Sequence, residues 1–172
     1  MIEGGCNCAD TYRTIMPVMQ HRNHNGLPLF EDVGVLAVVP DRWDLPWQTR
    51  HHLISRLAKY FHVVWCNPVQ EWRMIRLDYS FSPWFRNEPH DNGLVEHTFS
   101  SLFPKLYRPV FAANLTDRFR MNRARTALGG RPIRKWILYL WRPHFVSVLD
   151  NARYDASFYH IDDEYSFSAT EK

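Results

Sequence analysis

From Val33 onward the chain is a series of short apolar runs separated by amphipathic stretches. VGVLAVV, Val33 to Val39, is a continuous, largely β-branched run ended by Pro40, the pattern of a strand buried on both faces. DLPWQTRHHLISRLAKYF follows. Asp44 and Pro46 are helix-start signals, and Trp47, Ile54 and Phe61, spaced by seven and reinforced by Leu53, Leu57 and Ala58, predict an amphipathic helix. Its expected length is about 14 residues. HVVWCNP, His62 to Pro68, gives a second strand. Strand, helix and strand with short connections make a βαβ unit with parallel strands and a right-handed crossover.

From Val69 to Asn92 the period is lost, and the stretch reads as an aromatic-rich loop with room for one helical turn. LVEHTF, Leu94 to Phe99, alternates as a third strand. PVFAANLTDRFRMNRARTAL, closed by Gly129 and Gly130, predicts a helix stopped by glycine. KWILYLW is a fourth strand, HFVSVLDNA a short helix after Pro143, and ASFYHI a fifth strand. Strands and helices alternate throughout, so the expected class is α/β, a doubly wound, mostly parallel sheet. Residues 1–32 show neither period and read as a poorly ordered extension, leaving 33–172 as a single domain.

Composition narrows the picture without changing it. Apolar residues make up 45% and charged residues 23%, a globular balance. The longest purely apolar run, Trp136 to Trp141, falls far short of the roughly 18 residues a membrane span needs, and the start lacks the pattern of a secretory signal. A cytoplasmic protein is the expectation, with peripheral contact at the inner membrane face as an open alternative. Cys6, Cys8 and Cys66 suit free thiols rather than a disulfide framework or a zinc knuckle. Net charge is only +3, but Arg118 to Lys135 holds seven basic residues and no acid. Those charges do not form one helical stripe, which argues against a nucleic-acid footprint and leaves a solvated helix or an anionic surface. Trp72 to Phe85 either rests at a membrane interface or packs over the sheet.

Ligands of open parallel sheets bind at the carboxyl ends of the strands. That rule selects PDRWDLPWQTR after the first strand and DDEYSF after the fifth. The first loop has no glycine, so it lacks the GxGxxG that brings backbone to a pyrophosphate, and there is no GxxxxGK[ST]. A nicotinamide, flavin or P-loop site is therefore not expected. The loop offers Trp47 and Arg50, three apart on a first helical turn, as a stacking plane beside an anion clamp, or else a core tryptophan and a solvated arginine. In the fifth strand, period 2 puts His160, Asp162 and Glu164 on one side and Tyr159, Ile161 and Asp163 on the other, with Tyr159 and Ile161 facing a core. The acids form a catalytically placed polar loop, a site for a hard cation, or an inert acidic loop.

VVPDRWDLPWQTRHHLISRLAKYFHVVWCNP together with FYHIDDEYSFS resembles the N-terminal domain of GT-B glycosyltransferases of the kind involved in teichuronic acid and other surface polysaccharide synthesis. The matching positions are Trp47, Arg50, Leu57, Ala58, His62, Val64 and Pro68, then Tyr159, Asp163, Glu164 and Tyr165. The similarity covers about residues 33 to 168 and departs at Asp162, where the family usually has an apolar residue. It implies a Rossmann-like half of a two-domain enzyme that moves a sugar from a nucleotide-sugar to a lipid-linked or polysaccharide acceptor. The donor would be held mainly by a C-terminal domain, so the resemblance implies a partial enzyme, inactive alone, with that domain a candidate separate chain. No cofactor and no metal are implied. Asp163 and Glu164 would be catalytic, and Trp47, Arg50, Asp41 and Tyr165 would line the acceptor side. Two rival classes remain: a non-catalytic glycan- or partner-binding module, and a metal-dependent transferase using Asp162 to Glu164.

Overall fold

The computed structural model describes residues 27–69, 71 and 83–161. Six strands form one sheet: β1 (Phe30–Val38), β2 (Phe61–Cys66), β3 (Arg86–Pro89), β4 (Val95–Thr98), β5 (Lys135–Leu140) and β6 (Ala156–Tyr159). Three helices connect them, α1 (Thr49–Leu57), α2 (Val110–Thr126) and α3 (Ser147–Asn151), with a 3-10 turn at Pro143–Phe145 before α3. The sheet order is β3-β4-β2-β1-β5-β6, and every neighbouring pair is parallel except β3 with β4. The α/β, mostly parallel architecture read from the sequence is what the chain adopts.

β1 sits at the centre, pairing with β2 from Gly34 to Val38 and with β5 from Val33 to Val38. Its alternate residues enter two cores, which is why the run is apolar throughout rather than alternating. Leu36 and Val38 join Val64, Leu138 and Leu140 on one face, under Met121, Ala124 and Leu128 of the α2 region and Val148 of α3. Val35, Ala37 and Val39 join Val63, Trp65 and Trp141 on the other, under Ile54 and Ala58. Winding explains the two faces. From β1 to β2 the chain steps one way along the sheet, and from β4 to β5 to β6 it steps the other way. A constant right-handed crossover therefore puts α1 on one face and α2 and α3 on the opposite one.

Gly34 is a packing requirement of this arrangement. A Cβ there would lie 2.8 Å from Trp136 Cζ3 and 3.0 Å from Ile133 Cγ2. Gly34→Ala is expected to cost about 1–2 kcal/mol net, overpacking outweighing the entropy that alanine removes from the unfolded chain. The urea midpoint should fall accordingly, and trimming Trp136 to leucine in the same chain should make the alanine tolerable.

Several expected boundaries shift. α1 spans nine residues rather than about 14 and begins at Thr49, with Gln48 as N-cap. Asp44 is instead engaged by Arg42, at 3.1 and 3.0 Å, so it stabilises the preceding loop rather than the helix. The stretch from Val69 to Asn92 contains a strand, β3, antiparallel to β4. Its turn is closed by His90 N–H to Leu94 O at 2.8 Å and Gly93 N–H to His90 O at 2.9 Å, with Gly93 at φ +84°. The dipeptide Asn92-Gly93 is the hairpin signal that locates it. Phe85 packs over the sheet against His97, Phe103 and Phe119.

β1 begins at Phe30, inside the stretch read as an extension, and 1–26 lie outside the described residues. The expectation that Tyr159 and Ile161 face a core is overturned. β6 is the edge strand, all four of its residues are exposed, and Ile161 is 73% exposed. The arginines of α2 are not uniformly solvated either. Arg120 is buried, donating from Nη1 to Phe103 O at 2.9 Å and Pro104 O at 2.7 Å and pairing through Nη2 with Asp117. It ties the loop after β4 to the helix.

Candidate ligand-binding site

The carboxyl ends of β1 and β5 are neighbours, and the two chains leave them for opposite faces of the sheet. A crevice is expected at such a reversal, between the β1–α1 loop (39–48) and the segment after β5. Three groups of side chains occupy this rim.

The first belongs to the β1–α1 loop and α1. Asp41 Oδ2 and Arg50 Nε lie 2.7 Å apart, with the side chains 23% and 11% exposed. Arg50 also contacts Gln48 Oε1 and places its guanidinium carbon 5.5 Å from the centroid of Trp141. Its Nη1 is buried and has no hydrogen-bond partner, leaving a cationic donor that a ligand oxygen could satisfy. Trp47 precedes the N-cap, so it does not share a helical face with Arg50. It packs against Trp43, His51 and His52 and remains 52% exposed, which also rules out a core role. Arg50 in turn is neither core nor solvated but held in an ion pair.

His51 fixes the loop. The Gln48 N–H donates to its Nδ1 at 3.2 Å, so the proton resides on Nε2, which faces Arg42 O at 3.3 Å. Burial holds this imidazole below the ordinary histidine range, despite the Arg42 carbonyl and the Asp41 carboxylate, and the neutral tautomer suits both bonds.

The second group closes the ends of β2 and β4. Asn67 is buried and satisfies all its bonding capacity. Its Oδ1 accepts from Trp43 N–H at 3.2 Å and Trp65 Nε1–H at 3.1 Å. Its Nδ2 donates to Glu96 Oε1 at 2.7 Å and Thr98 Oγ1 at 2.9 Å. The other Glu96 oxygen is 3.2 Å from His90 Nε2. Trp43 covers this network, its ring within 4.9–5.6 Å of those of His51, Trp65 and His90. The indole thus fills the space over β2 that a glycine-rich loop would leave for a pyrophosphate.

The third group lies at the ends of β5 and β6. Trp141 is buried, and His160 stacks on it with centroids 4.0 Å apart and planes 17° apart. Tyr139 Oη and His160 Nδ1 are 2.9 Å apart. This pair closes the rim end of an apolar trough of about 430 Å³ on the α1 face, floored by Val35, Ile137 and Phe158 and walled by Leu53, Leu57 and Phe61. The trough exists because the right-handed winding puts α2 and α3 on the opposite face, so that among the described residues no helix lies over β5 and β6 on this one.

The structure therefore brings Asp41 and Arg50 together, while Trp47, in the same loop as Asp41, packs on Trp43, His51 and His52. Asp162, Asp163, Glu164 and Tyr165 lie outside the described residues; Ile161, immediately before them, sits at the same rim. Among the described residues no group of histidine, cysteine, aspartate or glutamate is arranged to hold a metal ion. Cys66 is buried and its thiol is pushed up to about 12 by burial, so it is not a nucleophile at neutral pH. The residues that sequence reasoning missed are Asn67, Glu96, His90 and Trp141; His160, grouped by the sequence with Asp162 and Glu164, is found stacked on Trp141. Asn67 carried a signal, a polar residue between an apolar strand and Pro68 at the carboxyl end of β2. The others could be placed only once the strand order was known.

No helix among the described residues is long and apolar enough to cross a membrane. No protein-family model, no curated protein and no solved structure matches the chain.

Proposed function

We propose that this domain is the acceptor-side, Rossmann-like half of a GT-B glycosyltransferase, acting on a lipid-linked or polysaccharide acceptor, with the nucleotide-sugar donor held by a second domain or chain. The observation that carries the reading is Arg50, fixed by Asp41 at the reversal of the strand order with one buried donor left unpaired, three residues after the half-exposed Trp47. An indole face and a planar cationic fork suit a sugar ring and the phosphate or hydroxyl groups around it. The apolar trough whose rim end is capped by Tyr139 and His160 supports a lipid-linked acceptor over a purely polysaccharide one, since it offers hydrocarbon lining with polar groups at one end only.

In this reading the acceptor hydroxyl attacks the anomeric carbon of the donor, the new C–O bond forms as the bond to the diphosphate breaks, and the hydroxyl proton passes to Asp163 or to the departing phosphate. Glu164 supports Asp163, and Tyr165 is assigned to the acceptor side on the resemblance alone. No metal is invoked.

Thermal unfolding of the purified chain tests this. An isoprenyl diphosphate-linked sugar at a hundredfold excess over its Kd should raise Tm by about 5–10 °C, and nucleotide-sugars alone should not. Arg50→Ala is expected to weaken acceptor binding tenfold or more, and Trp47→Ala severalfold with the unliganded Tm lowered by only about a few degrees through its lost ring contacts. A shift with a nucleotide-sugar alone would overturn the division of labour. Indifference to every glycan acceptor would overturn the transferase reading itself.

A further inference from the structure

Large apolar side chains are exposed together on the α2/α3 side of the carboxyl rim. Phe111 and Leu115, four apart on the outward face of α2, are 75% and 67% exposed; Val110 beside them is 66% exposed, Leu102 61% and Val146 60%. These belong to three segments that the fold holds side by side. Arg120 binds the carbonyls of Phe103 and Pro104, which fastens the loop after β4 to α2. Asn151 Nδ2 donates to Asn114 Oδ1 at 3.3 Å, which sets α3 against the first half of the same helix. Monomeric proteins seldom leave so many bulky apolar groups adjacent and in water.

The surroundings are basic. Lys105, Arg108 and Arg118 lie on the same loop and helix, and Arg123 packs its guanidinium on Phe85 and Phe119. Of the nearby acids Asp117 pairs with Arg120, while Glu71, which accepts from Tyr107 Oη at 2.7 Å, and Asp150 of α3 keep their charges against the four cations. Apolar side chains that insert a short distance, ringed by cations that stay in the headgroup layer, are the makings of interfacial binding to an anionic bilayer. We propose that this face docks on an anionic phospholipid membrane, Phe111 and Leu115 entering the acyl boundary while Lys105, Arg108 and Arg118 meet lipid phosphates. Because α2 and the loop before it begin at the carboxyl ends of the strands, docking holds the ligand rim close to the membrane surface. The proposal stands on this surface alone and does not need the transferase reading.

Co-sedimentation of the full chain with vesicles tests it. Binding is expected to phosphatidylcholine vesicles containing roughly 30 mol% phosphatidylglycerol and to be at least tenfold weaker to phosphatidylcholine alone. Phe111→Asp with Leu115→Asp should reduce binding at least tenfold while the circular dichroism spectrum stays unchanged, both residues being mostly in solvent. Arg108→Glu with Arg118→Glu should reduce it similarly, whereas Lys59→Glu, exposed at the opposite end of the strands, should change it little. Retained binding in either double variant would overturn the proposal, as would equal loss in Lys59→Glu. So would a wild-type dimer, by light scattering, that Phe111→Asp converts to monomer, since the face would then be an interface between copies.

Discussion

Asn67→Ala should lower the unfolding free energy by about 4 kcal/mol, with Glu96 rather than the asparagine as the main reason. Asn67 makes four side-chain hydrogen bonds, those to Trp65 and Glu96 buried and those to Trp43 and Thr98 partly buried. Removing it leaves the Trp65 indole N–H and one carboxylate oxygen of Glu96 without partners in a region closed to water. Glu96 would keep only His90, at 3.2 Å. An orphaned donor costs about 1–3 kcal/mol and an orphaned charge more, so these terms outweigh the packing lost. Urea unfolding followed by tryptophan fluorescence measures the effect. Adding Glu96→Gln to Asn67→Ala should recover at least about 1 kcal/mol, because a neutral amide tolerates the lost bond better than a carboxylate does. If the double variant is no more stable than the single one, the buried charge is not what makes Asn67 necessary.

Acid should destabilise the domain well before its carboxylates titrate, and His97 should account for about 3 kcal/mol of that loss. His97 is buried between Phe85 and Phe99, and burial, with Arg123 nearby, pushes its imidazole down to about 4 from an ordinary 6.5. Its Nδ1 lies 2.6 Å from Asn87 Oδ1 and so carries the proton, while Nε2 is buried without a partner. The folded state therefore resists a second proton that the unfolded chain accepts. The contribution is intact above pH 6.5, declines as pH falls from 6.5 and is gone near pH 4. His51 and His62, both also lowered by burial, tilt the curve in the same direction. Chemical denaturation of His97→Gln across pH 7 to 4 should show a visibly flatter profile than the native chain. An unchanged slope would mean that His97 protonates freely in the folded protein.

The sequence disclosed the strands of the sheet centre and the loop that would hold a ligand, for a definite physical reason. A strand buried on both faces must be apolar throughout, so Val33 to Val39 announces itself without its neighbours. β3 is the reverse case. Arg86–Pro89 is polar and exposed, paired antiparallel with β4, and nothing in its own composition resembles a strand. Tyr159 and Ile161 misled because alternation identifies two sides of a strand but not whether either side is covered. Trp47 misled differently. Asp44 and Pro46 are good helix starters, yet Arg42 captures Asp44, and the Gln48–His51 exchange starts the helix later. Arg50 was legible as a candidate, but its pairing with Asp41 across the loop was not.

The position of β1 has a consequence for how the chain is made. Its second neighbour in the sheet, β5, is encoded about a hundred residues later, Val35 pairing with Ile137. At synthesis rates of about 5–20 residues per second, roughly 5 to 20 s separate the emergence of β1 from that of β5, so the other edge of the central strand stays open for that time. During that interval the central strand of the sheet presents an open hydrogen-bonding edge to other nascent chains. Yield in a cell should therefore depend on chaperone supply and growth temperature more than the stability of the finished fold would suggest.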